Sequence, residues 1–438
     1  MKRTVTVTLA AALTLGTALT LPVKANAADP VVESSFFPYK NGLPNHPFVK
    51  PGVVINASNV DQAKDVLDPA IYEIIKNGWY EIKVGATTSI DMNKNYVDAT
   101  EKNYKSVTLG ATVSDIKGFV SGRPFPQEPD VKDPRAGDKI AWNFKYGVNW
   151  GDGAAISPFY WTYKNMNDGK VERVIKMNMH FLNFMHRIQN QPIPNIEPNP
   201  SEMYRAIYVK VLEPQDVADT QLLIHRYEDD SKLDSTWLYL GFQRRVRKLS
   251  SGQITDAFLG SDLMIEDFEA YNGRLSDMKW KFLGTKYILM PYYRHNDMTL
   301  DTEHAEADYK YVSFGGKGGC FPNVTWQLRK VYEVEADPVD ANHPISKRVF
   351  NFDAQTNLSN RTLIYDRNGK LWKTFIIGKS DPDAHLPINK GSGIGIDDSF
   401  SMIDLQAGHC TVGQFKGQVD PSLSPPERFS VDALRSGN

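Results

Sequence analysis

Residues 237–271 read WLYLGFQRRVRKLSSGQITDAFLGSDLMIEDFEAY, and the rest of the chain is organised around them. Up to Leu249 they alternate with a period of two. Leu238, Leu240, Phe242, Arg244 and Val246 fall on one face, and Trp237, Tyr239, Gly241, Gln243, Arg245 and Arg247 on the other. That is the pattern of a half-buried antiparallel strand, and its apolar face is expected to look inward. Three arginines, Arg244, Arg245 and Arg247, close the strand. An acidic cluster, Asp262, Glu266 and Asp267, then arrives among Phe258, Leu259, Leu263, Phe268 and Tyr271. The spacing predicts a basic strand end clamped by an acidic, aromatic-rich crossover.

More strand patterns flank this stretch. Residues 157–165 and 170–186 enclose Asn167-Asp168-Gly169, a turn of residues that accept positive φ. Further strands are expected over 204–212, 220–227, 280–290, 324–335, 347–352, 358–365 and 370–377, the last pair closed by Asn368-Gly369. Ahead of them, residues 59–78 carry helical spacing broken at Asp68-Pro69, where a cap and a first-position proline restart the helix. Residues 124–134 hold too many prolines for regular structure, and a short helix is expected over 139–146. So many antiparallel strands with so few long helices predict a mainly β, α+β fold on a strongly curved sheet. The organisation expected is a leader over 1–27, an extended segment over 28–58, a helical and irregular region over 59–150 packed on the sheet, and one antiparallel β domain with a C-terminal extension over 151–438.

The leader reading rests on Lys2 and Arg3, an apolar run to Val23, and the small-x-small site Ala25-Asn26-Ala27, which places cleavage after Ala27. A periplasmic location follows, with secretion beyond the envelope second. Without these 27 residues, which carry Lys2, Arg3, Lys24 and no acid, 47 basic residues face 52 acidic ones, a formal charge of −5. That balance argues against a nucleic-acid partner. After the leader no stretch is apolar and long enough to span a bilayer as a helix. The two cysteines, Cys320 and Cys410, are expected to form a disulfide in an oxidising compartment.

RRVRKLSS (244–251) followed by FLGSDLMIEDF (258–268) resembles the LolA/LolB-like superfamily, and more closely a bacterial family of unknown function described as outer membrane lipoprotein-sorting proteins. SGRPFPQEPDVKDPRAGDKIAWNFKYG (121–147) and RKVYEVEADPVDANHPISKRVFNFDAQTNLSNRTLIYDRNGKLWKTF (329–375) are similar to the same family, so the resemblance covers most of the mature chain. It implies an incomplete LolA-like β-barrel, with a groove on the concave side covered by short helices.

Candidate chemistry is sparse. The three arginines suit an anionic head group at the mouth of an apolar groove, because guanidinium forks match phosphate and carboxylate. They equally suit structural salt bridges to Asp262, Glu266 and Asp267, the more ordinary role for neighbouring opposite charges. Trp237, Tyr239, Phe258, Phe268 and Tyr271 are candidates to line a lipid-accepting cavity. DTEHAEADYKY (301–311) brings His304, Glu306 and Asp308 together as a weak candidate for a hard metal ion, and solvated acidic loops are commoner. GKS at 378–380 fails as a phosphate loop because Lys373 stands where the first glycine belongs, and GSGIG at 391–395 lacks dinucleotide spacing. No nucleophile elbow or HExxH pair is present, so no cofactor, metal or catalytic residue is assigned.

These readings point to a non-enzymatic periplasmic carrier or chaperone for a hydrophobic small molecule or lipid. Exposing an acyl chain to water costs about 0.8 kcal/mol per methylene, so such a ligand needs a protein that hides it. The alternative is an accessory of an inner-membrane transporter of the resistance-nodulation-division type, or of an outer-membrane protein, with the groove serving a protein segment. A hydrolase of hydrophobic substrates comes third.

Overall fold

The computed structural model describes residues 29–250, 254–306 and 308–436, with 302–305 and 436 described by their backbone alone. The expected leader lies outside the described residues.

One sheet dominates. In chain order its main strands are β1 (Gly153–Asn165), β2 (Val171–Asn183), β3 (Met203–Glu213), β4 (Gln221–Tyr227), β5 (Ser235–Leu240), β6 (Arg245–Lys248), β7 (Met278–Met290), β8 (Thr325–Pro338), β9 (Ile345–Asp353), β10 (Ser359–Asp366), β11 (Leu371–Ser380), β12 (Ile396–Asp404) and β13 (His409–Gln418). Side by side they run β7-β8-β9-β10-β11-β12-β13-β1-β2-β3-β4-β5-β6, each neighbouring pair antiparallel. The end strands β7 and β6 do not pair with each other, so the sheet stays an incomplete barrel.

Ile224 of β4 and Ile345 of β9 come from opposite ends of the sheet, yet both join one apolar cluster with Phe159, Trp161, Phe400 and Phe415 from its middle. Strands so far apart in the order share a cluster only on the inside of a strong bend. Short helices cover the flanks: α1 (Pro30–Phe36), α2 (Pro69–Lys76), α3 (Lys94–Asn103), α4 (Ala136–Lys145) and α5 (Val431–Ser436). Asp68 caps α2 by accepting from the Ile71 amide at 3.0 Å, with Pro69 in its first turn. Cys320 and Cys410 are disulfide-bonded, tying the segment before β8 to β13 inside a core shared with Ile71 and Ile75 of α2.

Three expectations change. The leading residues are not extended throughout: Asp29 caps α1 and Pro30 opens it, so Val32 and Phe36 become buried. The single strand expected over 237–249 is a hairpin, because a turn at 241–244 with Arg244 at φ +50° reverses the chain. Across it Val246 pairs with Tyr239, and Arg245 and Arg247 pair with Leu240 and Leu238. Paired residues share a face, so the turn moves these two arginines onto the leucine face and Val246 off it. Finally, β12 and β13 were not expected as strands; they bury Asp397, Asp398, Ser399, Ser401 and Thr411, polar residues that disguise a core strand.

Candidate functional site

The inner face of the bend is apolar, supplied by alternate residues of β1 (Ile156, Phe159, Trp161, Tyr163) and β2 (Ile175, Met177, Met179, Phe181) with others from β3, β4 and β11–β13. Residues 254–277 cross this face as a chain of short 3₁₀ turns and insert Phe258, Leu263, Ile265 and Phe268. Phe268 lies edge-on to Trp161 at 5.9 Å and to Phe258 at 5.5 Å. Each side chain so buried contributes roughly 1.5–3 kcal/mol. The groove expected on the concave side is therefore largely filled by the crossing segment.

Buried charges pin that segment. Arg348 on β9 donates to Glu266 at 2.8 Å and to Asp267 at 2.5 Å, and Glu266 also meets His343 at 3.1 Å. Burial pushes the Glu266 carboxyl up, but Arg348 and His343 outweigh it and hold it below the usual range. Asp262 faces His409 at 2.8 Å and accepts from the Thr411 hydroxyl at 2.7 Å. Glu269 accepts from Arg205 at 2.9 Å. All three acids singled out in the sequence are ion-paired, but to Arg348 and His409, not to Arg244, Arg245 or Arg247.

Two spaces remain. Beneath the crossing segment is a cavity of about 40 Å³, walled by Phe159, Trp161, Phe268 and Phe400 and bordered also by Glu269 and Asp397. The indole N–H groups of Trp150 and Trp161, both on its wall, have no hydrogen-bond partner among the described residues. At the unclosed seam lies a cleft of about 700 Å³, bordered by Ile224, Thr236, Leu249, Ile265, Arg274 and His343. A comparable hollow of about 730 Å³ around Trp79, Glu81 and Lys83 lies elsewhere and is flanked by Asn56, Ser58 and Asn323.

The residues singled out in the sequence divide among these places. Phe258 and Phe268 stand in the hollow. Tyr271 sits in the neighbouring core with Trp280 and Phe350, and burial raises its hydroxyl pKa well above the ordinary value. Trp237 and Tyr239 pack away from the hollow, against Phe429 and Leu434 beneath α5. Arg244, Arg245 and Arg247 are exposed, and Arg247 bonds Gln243 at 2.8 Å. Arg247 shares a strand face with Leu249, which lines the cleft.

Of the run 301–311, the side chains of 302–305 lie outside the described residues. Glu306 receives the Tyr160 hydroxyl at 3.3 Å, and Asp308 meets Lys416 at 2.7 Å. A different group is compact enough for a metal ion: His295, His385 and Asp398, all buried, with ligand atoms within 4.8 Å of one another. Its protons argue otherwise. Asn389 accepts from the Val419 amide at 2.9 Å and donates to the Gly417 carbonyl at 2.8 Å, which fixes its amide so that it also donates to His385 Nδ1 at 2.9 Å. The His385 proton then sits on Nε2, facing Asp398 at 3.1 Å and the Tyr309 hydroxyl at 2.9 Å. Tyr309 and His295 also bond Asp398, at 2.7 and 2.8 Å. A nitrogen that keeps its proton has no lone pair for a metal, so the group is a buried hydrogen-bond network.

A strongly bent, unclosed antiparallel sheet whose hollow is crossed by short helical turns defines a β half-barrel. Within that class the chain belongs to the family described as Protein of unknown function (DUF1329), whose model matches residues 54–435. No curated protein matches the chain. Among solved structures it is similar to a domain from Vibrio parahaemolyticus described as outer membrane lipoprotein-sorting, at 18% identity over 69% of this chain and 100% of that one, TM-score 0.47. A DUF1329 family protein from Desulfovibrio piger gives the same identity, the same coverage and the same TM-score, 18%, 69%, 100% and 0.47. A LolA superfamily protein from Nitrosomonas europaea follows at 11% identity, covering 64% of this chain and 91% of that one, TM-score 0.38.

Proposed function

We propose that the protein is a periplasmic carrier or chaperone that holds a lipid or other acyl-bearing molecule in the cleft and hollow of the half-barrel, without catalysing a reaction on it. The observation that carries this reading is the cleft of about 700 Å³, which adjoins an apolar inner face at the open seam. Its size falls within the roughly 300–1,000 Å³ of small-molecule sites. The deep cavity of about 40 Å³ has room for little more than water, so a chain penetrating further must displace Phe258 and Phe268. The leader pattern supports export, and among the described residues no helix is long and apolar enough to cross a membrane.

The test is to purify the protein from a bacterial envelope, extract it for mass spectrometry, and titrate the stripped protein with a fluorescent fatty acid. A co-purifying lipid or saturable uptake is expected; repeated absence of both contradicts the reading.

A further inference from the structure

The β5–β6 hairpin ends in a feature the cleft does not need. Phe242 at its tip is 75% exposed, more than any other large apolar side chain among the described residues. Arg244, Arg245, Arg247 and Lys248 stand exposed beside it, and the sequence contains no acid between Asp234 and Asp256. The neighbouring turn, whose Ala218 and Asp219 lie against Gly241, offers two acids, but Asp216 is held by Arg173 and Asp219 faces Lys210 at 3.7 Å. None of the three arginines is ion-paired among the described residues. The ordinary explanation for charges on an end strand is that they discourage pairing with another sheet. It accounts for the arginines but not for the phenylalanine, which adds an apolar contact at the very tip.

We propose that this hairpin tip docks the protein on an anionic lipid bilayer, Phe242 entering the boundary between head groups and acyl chains while the guanidinium groups engage lipid phosphates. Guanidinium forks fit phosphate oxygens, and an aromatic ring flanked by cations suits the interface. The whole chain is formally negative, at −2, so an anionic surface repels most of it and selects this basic tip for contact. The strand that leaves the tip runs directly into Leu249 of the cleft wall, which ties the docked tip to the cleft. Docking does not depend on what the cleft carries.

Flotation of the full chain with phosphatidylglycerol vesicles and with phosphatidylcholine vesicles tests this. Binding to the anionic vesicles at low ionic strength, loss at high salt, and no binding to the zwitterionic ones are expected. Arg244→Gln/Arg245→Gln/Arg247→Gln should weaken binding by about tenfold or more, and Phe242→Ser should weaken it at unchanged salt sensitivity. Equal binding to both compositions, no binding to phosphatidylglycerol at low salt, or binding unchanged in both variants would overturn the proposal. So would a stable envelope-protein partner found without any vesicle binding. If the triple variant fails to fold, Phe242→Ser and the salt series decide. Fatty-acid uptake on the same samples separates this outcome from that of the carrier reading.

Discussion

Arg348 in β9 donates to Glu266 and Asp267 in the crossing segment, so one buried guanidinium holds two consecutive carboxylates across the hollow. Removing it strands two charges inside the protein. Arg348→Ala is expected to cost roughly 3–5 kcal/mol in urea unfolding. Adding Glu266→Gln and Asp267→Asn to that variant should recover part of the loss, since the stranded charges go with them. A loss below about 1 kcal/mol, the range of an exposed pair, would contradict the pinning role.

Phe268 fills the hollow between Trp161 and Phe258. Phe268→Ala is expected to destabilise the protein by about 3–5 kcal/mol, the usual cost of emptying a core aromatic site. It should at the same time enlarge the cavity and increase uptake of a fluorescent fatty acid. Lower stability with unchanged uptake would mean that this depth is core and nothing more.

The histidines divide by sign. A hydrogen bond donated to the Asp262 carboxylate raises the His409 pKa, so the folded state holds that proton more tightly. Its stabilisation is complete below the unfolded value of about 6.5 and is lost as pH rises through the raised folded value. Burial does the opposite to His180, lowering it to about 4. The unfolded chain then gains the proton first, and stability falls between about pH 6.5 and pH 4. Urea unfolding from pH 4 to 8.5 should show Asp262→Asn with a shallower alkaline decline than the wild type, and His180→Gln with a shallower acid decline. Unchanged profiles in both would contradict these assignments.

The Cys320–Cys410 bridge closes a loop with a sequence separation of 90 and lies in a core with Trp326 and Ile403. Replacing both cysteines by alanine should cost about 2–5 kcal/mol. Equal melting temperatures for the two proteins would contradict it.

Periodicity made the bent antiparallel sheet legible, together with most of its strands, because β1–β4 and β7–β11 alternate or are strongly apolar. It failed where the reason for burial lies far away in sequence. Asp398 in β12 is buried because His295, Tyr309 and His385 meet it, and the local pattern DDSFSMID carries no sign of them. The same limit misdirected the salt bridges. Arg244, Arg245 and Arg247 lie much nearer in the chain to Glu266 and Asp267 than Arg348 does, yet Arg348, 82 and 81 residues away, reaches them. Gly241 was a local signal of the turn in 237–249, overridden by alternation running unbroken through it. Phe258 and Phe268 lie in the hollow with the aromatic-rich crossover that carries them, whereas Trp237 and Tyr239 lie on the other face of their strand.

In the carrier reading, an acyl chain enters through the cleft between the β4–β5 turn and the β8–β9 turn. A fatty acid carrying a photoreactive group at its chain end, irradiated on the purified protein and mapped by peptide mass spectrometry, tests it most directly. Saturable labelling around Ile224, Leu249 and Ile265, abolished by Leu249→Arg, is the predicted result. Labelling that does not saturate, or that falls on the opposite face around Trp237 and Phe429, would contradict it.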